Sequence, residues 1–317
     1  MAGFSTQNTE YLIRSNLWSN QLKDIFEDDL VGATKWVDWL SDFPDGDTIN
    51  IPSVGQAEVR DYEEGQAIRY TAMDTGNFTF TINEYKSSAT YVYDKMKQDS
   101  FYMNRIESMF VPKQARAIAK AMEVDLLERG PDGQTASSLN TINGANHRWV
   151  ASGTNEVITV KDFALANFAL QKANVPMTNL VAIVDPSVAF ELGTQANQMN
   201  VLHNQMWEGI ISKGYLTGTK FLYNVYGFDV YVSQNLKSGI AETINGKSVT
   251  TGVANLLFSA APEALPIVGA IRQPPRVESE RNKDLQRDEY VTTCRYDAKL
   301  YRPENMIVIL SDTDQVA

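Results

Sequence analysis

The chain has 317 residues, with 39 acids against 28 bases and a net charge of −11; its Arg and Lys residues are dispersed and outnumbered, unlike the basic patch with which nucleic-acid binders release counterions from phosphates, and solubility alone explains this charge as well. Its single cysteine, Cys294, excludes an intramolecular disulfide, and a compact fold of this length buries about three quarters of its unfolded surface without help from a metal. No apolar run approaches the roughly 20 residues of a membrane span, and the first residues lack the basic and apolar regions of a secretory signal; the expectation is a soluble protein made in a reducing compartment.

In chain order, Leu17, Trp18, Leu22, Ile25 and Phe26 share one face at helical spacing, which predicts an amphipathic helix with a polar back. Trp36, Trp39 and the turn Pro44-Asp45-Gly46 follow. An N-terminal arm over residues 1–46 is the expected unit. Next, Ile49 and Ile51 alternate before Pro52, and Phe78, Phe80 and Ile82 alternate with Thr79, Thr81 and Asn83. The stretch between these strands is polar and charged, so residues 47–86 read as a long hairpin. Too little apolar surface lies in it for independent stability, so it needs a packing partner outside itself.

From Asp99 to Arg129 the period changes to that of a helix. Ile106, Met109 and Phe110 lie on one face and Ile118, Met122 and Leu126 on its continuation. Asp99 is placed to cap its start, Pro112 to kink or divide it, and Gly130-Pro131 to stop it. The element would be about 45 Å long. Residues 131–156 are polar and read as a connection. Thr159 and Asp162 form a capping box opening a helix with Phe163, Leu165, Phe168 and Leu170. Leu180 to Val184 is a buried strand, after which Asp185 caps a short helix with Pro186 at its first position. Strands are expected at Phe221–Val225, Phe228–Val232 and Ala254–Phe258. The run from Arg272 to Tyr290 reads as a charged loop. Tyr290, Thr292, Cys294, Tyr296, Ala298 and Leu300 then alternate in a strand, and a second strand runs from Met306 to Leu310 after Pro303. Helices and strands mix without regular βαβ alternation, which implies an α+β fold.

Catalytic patterns are absent. His147 and His203 lie far apart, outside any HExxH spacing, and no Walker A, GxGxxG or GxSxG motif occurs. Gly209, Gly214 and Gly218 suit turns. Cys294 on a strand face reads as a core residue, and Asp61, Glu63 and Glu64 as a solvated hairpin.

Three segments carry a resemblance. Leu170 to Leu192 (LQKANVPMTNLVAIVDPSVAFEL), Val225 to Leu236 (VYGFDVYVSQNL) and Arg295 to Leu310 (RYDAKLYRPENMIVIL) occur in this order behind a hairpin and a long helix. Together they resemble the major capsid proteins of tailed double-stranded DNA phages, the Hong Kong 97-type fold that encapsulins share. The resemblance covers nearly the whole chain. It implies an N-arm (1–46), an extended hairpin loop (47–86), a spine helix with the first part of a peripheral domain (87–145), an axial domain (146–268) and return strands of the peripheral domain (269–317).

By resemblance the chain is a structural protein with no catalytic residue, cofactor or metal. Its copies would form the hexamers and pentamers of an icosahedral virion capsid assembled in the host bacterial cytoplasm. That capsid would enclose double-stranded DNA without sequence-specific binding and without a membrane. A separate scaffolding protein, a portal protein and a cement or decoration protein are the implied partners. The hairpin starting near residue 47 leaves no room for a cleaved scaffolding segment within the sequence, and no lysine lies between Lys35 and Lys86 to crosslink through the hairpin. The candidate intersubunit contacts are Trp18 and Leu22 in the arm, Val59, Tyr62, Ile68 and Tyr70 in the hairpin, and Arg276, Glu278 and Arg281 in the charged run. An encapsulin shell that holds an enzyme cargo is the nearest alternative. An α+β enzyme using Asp185 or the acidic cluster is the more distant one.

Overall fold

The computed structural model describes residues 30–40, 46, 48–54, 61, 64–65, 75–99, 103–135, 140–200 and 221–312. A short 3-10 turn (Ala33–Trp36) leads into β1 (Val37–Leu40). The strands β2 (Thr48–Val54) and β3 (Thr75–Thr81) pair antiparallel from Thr48↔Thr81 to Val54↔Thr75, and β4 (Glu84–Tyr93) follows. Two helices, α1 (Asp94–Asp99) and α2 (Met103–Gly133), come next. The short strands β5 (Thr141–Ile142), β6 (Ala145–Asn146) and β7 (Arg148–Val150) precede α3 (Val160–Lys172), β8 (Leu180–Val184) and α4 (Pro186–Asn200). The remainder is β9 (Phe221–Val225), β10 (Phe228–Val232), β11 (Ile240–Ile244), β12 (Lys247–Ser259), β13 (Ile267–Asn282), β14 (Arg287–Leu300) and β15 (Ile307–Asp312).

Two sheets organise these elements. The larger runs β7-β15-β12-β8-β10-β9, with β11 added to β12. Its middle strands are covered on both faces, which is why β8 and β15 read as continuous apolar runs. On one face Leu180, Ala182, Val184, Ile307 and Ile309 meet Phe163, Ala166 and Leu170 of α3 and Val188 and Leu192 of α4. On the other, Val181, Ile183, Val308 and Leu310 meet Leu126 and Leu127 of α2, together with Ile267 and Leu300. The second sheet has the order β1-β13-β14-β4. Segment 269–317 therefore supplies strands to both sheets.

Helix α2 lies against the second sheet through Ile118, Met122, Cys294 and Tyr296. It differs from the sequence expectation at both ends. Asp99 ends α1 and does not cap α2, and α2 runs unbroken past Pro112 and on through Gly130-Pro131 to Gly133. Packing holds the last turn in place. A Cβ at Gly130 would lie 3.2 Å from Leu256 and one at Gly133 would lie 2.7 Å from Leu300, so these glycines let the helix approach the strands. The Pro131 carbonyl accepts a hydrogen bond from Arg148 Nη1 at 2.8 Å.

Two more expectations are corrected. Residues 131–156 are not a plain connection, because Arg148, Trp149 and Val150 are buried in β7 at the margin of the large sheet, parallel to β15. The run from Arg272 to Tyr290 is not a loop. It forms the distal part of the β13–β14 hairpin, paired from Arg276↔Thr293 to Asn282↔Arg287. Charge at consecutive positions excludes a half-buried strand but not one exposed along this length, and residues Glu278 to Arg281 are all exposed.

Candidate assembly surfaces

The hairpin β2–β3 is fastened to the body at its root. Phe80 and Ile82 are buried with Val268 and Ala270, and Ile51, Phe78, Leu40 and Tyr301 close over them. The Phe78 ring stands edge-on to Tyr301 at 5.0 Å, and the Lys299 ammonium lies 5.2 Å from its centroid. Polar contacts continue the anchor. Asn83 N donates to Asp297 Oδ2 (3.1 Å), Arg295 donates to the Ile82 carbonyl (3.3 Å) and Lys299 to the Thr79 carbonyl (3.3 Å).

Beside this root runs a charge network. Arg129 bridges Glu84 (3.1 Å) and Asp297 (3.2 Å), Lys86 bridges Glu84 and Asp125 (both 3.0 Å), and the Tyr296 hydroxyl donates to Asp125 at 2.5 Å. Burial opposes the charge on Lys86, but its hydrogen bonds to Asp125 and Glu84 prevail and hold its pKa above the usual lysine value. Burial, reinforced by the Asp125 carboxylate, pushes the Tyr296 phenol up. The network ties α2 to the strand that leaves the hairpin.

Residues Val31 and Gly32 run beside α2. Glu123 is buried, and its carboxylate accepts Val31 N (3.0 Å), Gly32 N (2.7 Å) and Asn235 Nδ2 (3.3 Å). Trp36 packs edge-on to Tyr231 and Phe258. A second buried acid, Asp162, organises the α3 side. It accepts Thr159 N (2.8 Å) as the capping box requires, and also the Thr159 hydroxyl (3.0 Å), Ser152 N (3.1 Å), Ser152 Oγ (3.0 Å) and Trp149 Nε1 (3.3 Å).

Of the candidate contacts, Trp18, Leu22, Val59, Tyr62, Ile68 and Tyr70 lie outside the described residues. Arg276 and Glu278 are exposed and paired with each other at 3.2 Å. Arg281 reaches Asp94 at the start of α1 (2.7 Å), and Lys97 reaches Asp288 (2.6 Å). Hydrogen bonds from Arg287 and Asn282 hold the Glu289 carboxyl below its usual range. The charged run thus stiffens its own hairpin as well as presenting charge. Sequence reading missed the exposed aromatics Tyr85, Tyr91 and Tyr93, whose strand continues directly from the hairpin.

Among the enzyme-like candidates, Asp185 and Cys294 have structural roles. Asp185 accepts Ser187 N (2.9 Å) and Ser187 Oγ (2.5 Å) and so caps α4. Cys294 is buried against α2, and burial raises its thiol pKa. Asp61 and Glu64 are exposed, while Glu63, His203, Gly209, Gly214 and Gly218 lie outside the described residues.

His147 is buried, with Nδ1 3.1 Å from the Ala145 carbonyl and Nε2 3.2 Å from that of Glu304. The carbonyls favour imidazolium, but burial outweighs them and lowers the pKa below 6.5. The unfolded chain therefore binds this proton first as pH falls, and folding stability drops from about pH 6.5 down to the depressed folded value, then levels off. In unassembled subunits the melting temperature of the wild type is expected to decline across that window relative to His147→Gln. Parallel profiles for the two proteins would contradict this assignment.

Among known proteins, the phage capsid protein family matches residues 77–309. The chain belongs to that family. Phage capsids also share its fold over nearly their full length. The capsid of Cyanophage P-SCSP1u is 14% identical with a TM-score of 0.73, covering 96% of this chain and 94% of that one. The Mycobacterium phage Che8 structure is 18% identical with a TM-score of 0.67, covering 93% and 96%. The holo-SrpI encapsulin of Synechococcus elongatus PCC 7942 has the same fold at 12% identity and a TM-score of 0.58, covering 98% and 95%. No curated protein matches. As a phage capsid family member this chain is a shell-forming structural protein, a component of the virion capsid built from many copies of itself. The large sheet, the four-stranded sheet, the long α2 and the hairpins β2–β3 and β13–β14 are the parts of this α+β capsid fold among the described residues. Among its described residues, no helix is long and apolar enough to cross a membrane.

Proposed function

We propose that copies of this chain form the hexamers and pentamers of an icosahedral shell that encloses double-stranded DNA, assembled in the host bacterial cytoplasm with a separate scaffolding protein and a portal protein. The reading rests on family membership together with one physical observation. The sheet β13–β14–β4 is covered by α2 on one face, and its other face leaves Tyr85, Tyr91 and Tyr93 exposed. Exposed large apolar groups on one face mark an interaction surface. The segments 1–46, 47–86, 87–145, 146–268 and 269–317 serve on this reading as arm, extended hairpin, spine with first peripheral part, axial domain and return strands. The arm and hairpin reach neighbouring subunits, and the Arg276–Glu278–Arg281 end of β13 meets its counterparts between capsomers. No catalytic step, cofactor or metal enters this role. Co-expression with scaffolding protein, followed by negative-stain electron microscopy and sedimentation, tests it. Closed, uniform shells are the expected product, and a compact monomer under every condition would overturn it. Shells that carry an enzyme cargo in place of DNA would instead favour the encapsulin reading, which the shared fold keeps in view.

Such shells are expected to be held together without covalent links. An isopeptide needs a lysine amine beside an amide or carboxylate. The hairpin segment between Lys35 and Lys86 has none, and Lys86 is engaged by Glu84 and Asp125. Purified shells heated in detergent should therefore run as a single-chain band. A ladder of multiples that survives reductant would contradict this. A cement or decoration protein could add noncovalent reinforcement.

A further inference from the structure

The two margins of the four-stranded sheet are built in opposite ways. On one side, β1 covers β13 from Ile267 to Ala270 only. Beyond that point β13 contains Pro274 and Pro275, shifts register on both sides of Gln273, and carries Arg276, Glu278, Glu280 and Arg281. Prolines, bulges and charges are the devices that keep a strand edge from pairing. On the other side, β4 has no such protection. It pairs with β14 in unbroken register from Glu84 to Tyr93, and among the described residues no strand lies along its far edge. From Ser87 to Tyr93 it holds neither charge nor proline. Its outward face presents Tyr85, Ser87, Ala89, Tyr91 and Tyr93, with the tyrosines 60%, 53% and 40% exposed.

We infer that the β4 edge pairs antiparallel with β4 of a second copy across a twofold axis, joining two subunits through one continuous sheet. Charge argues for a second copy as the occupant. Copies of a chain with net charge −11 repel, and close approach is least opposed along this neutral strand. Shape fixes the register. Centred on Thr90, Ala89 faces Tyr91 and Ser87 faces Tyr93 of the other copy, each pair occurring twice, so a small side chain always meets a ring. Centring on Ala89 instead would set Ala89 against itself and crowd Tyr85 against Tyr93. The contact is isologous, as a twofold requires. It rests on the shell-forming reading and names a contact within it.

The test uses full-length chains carrying Ala89→Cys or Tyr91→Cys, assembled separately and as a mixture, then oxidised. The only native cysteine is buried, so background crosslinking is low. Mixed shells should yield a disulfide-linked dimer, at least tenfold more than shells of either variant alone, because only the mixture places the two thiols within bridging distance. Mixed shells without that dimer overturn the β4 pairing and leave the shell reading intact. Failure of the wild type to form shells would overturn both. If the cysteine variants do not assemble, Ala89→Lys decides. It should melt as the wild type does yet lose shells at least tenfold, with recovery in the double variant Ala89→Lys/Tyr91→Glu, which sets lysine against glutamate across the axis. Wild-type assembly by Ala89→Lys, or no recovery in the double variant, refutes the proposal.

Discussion

Replacing Asp162 with alanine should lower the stability of the unassembled subunit by about 4 kcal/mol, since it strands several buried donors that each cost roughly 1–3 kcal/mol when left unpaired. Asp162 is fully buried and accepts from Thr159, Ser152 and Trp149. Truncation leaves two backbone N–H groups and an indole N–H without acceptors, and opens a void beneath α3. At roughly 2–4 °C per kcal/mol, the melting temperature should fall by about 10 °C. Asp162→Asn should fall between, because the amide keeps one acceptor oxygen but turns an NH2 toward existing donors. Asp284→Ala, at an exposed turn, serves as the control and should change little. An Asp162→Ala subunit that melts within 2 °C of wild type would show that these bonds exchange freely for water.

Asp162 also shows where sequence reading succeeds and where it stops. Its capping role follows from Thr159 three residues earlier, a local signal. Its bonds to Trp149 and Ser152 depend on β7 lying beside α3, and β7 is three residues long inside a polar stretch. Nothing in its own period marks it as a strand. The pattern repeats across the fold. β8, β15 and the Tyr290–Leu300 part of β14 were legible because burial imposes apolar runs or strict alternation. The distal β13 was not, because charged residues on an exposed strand look like a loop until the partner strand is known. The end of α2 was misplaced for a related reason. Gly130-Pro131 is a stop signal taken alone, but close packing against Leu256, Met306 and Leu300 carries the helix another turn. The candidate assembly segments rest on sequence pattern and charge, and of the residues named for them only Arg276, Glu278 and Arg281 fall among the described ones. The exposed tyrosines of β4 were hidden, since alternation alone does not say which face of a strand is covered.

Removing the hairpin tip should separate folding from assembly. Residues 55–74, which include the candidate contacts Val59, Tyr62, Ile68 and Tyr70, can be replaced by an Asn-Gly turn joining Val54 to Thr75, the last pair of the β2–β3 ladder. The root stays intact in this variant. Phe80 and Ile82 remain buried with Val268 and Ala270, and Asp297 still accepts Asn83 N. Changes away from buried features usually shift stability by no more than about 0.5 kcal/mol, so the shortened subunit should melt within about 2 °C of wild type. Assembly should respond far more strongly, because a shell loses the same contact at every copy, and small losses multiply over a closed lattice. No closed shells are expected by electron microscopy, with or without scaffolding protein, while sedimentation shows a folded, compact subunit. If the shortened chain fails to fold, the tip belongs to the core and the projecting-hairpin reading falls. If it folds and closes shells at the wild-type yield, the tip is not a lattice contact, and the cohesion of the shell must lie in the sheet edges and the arm.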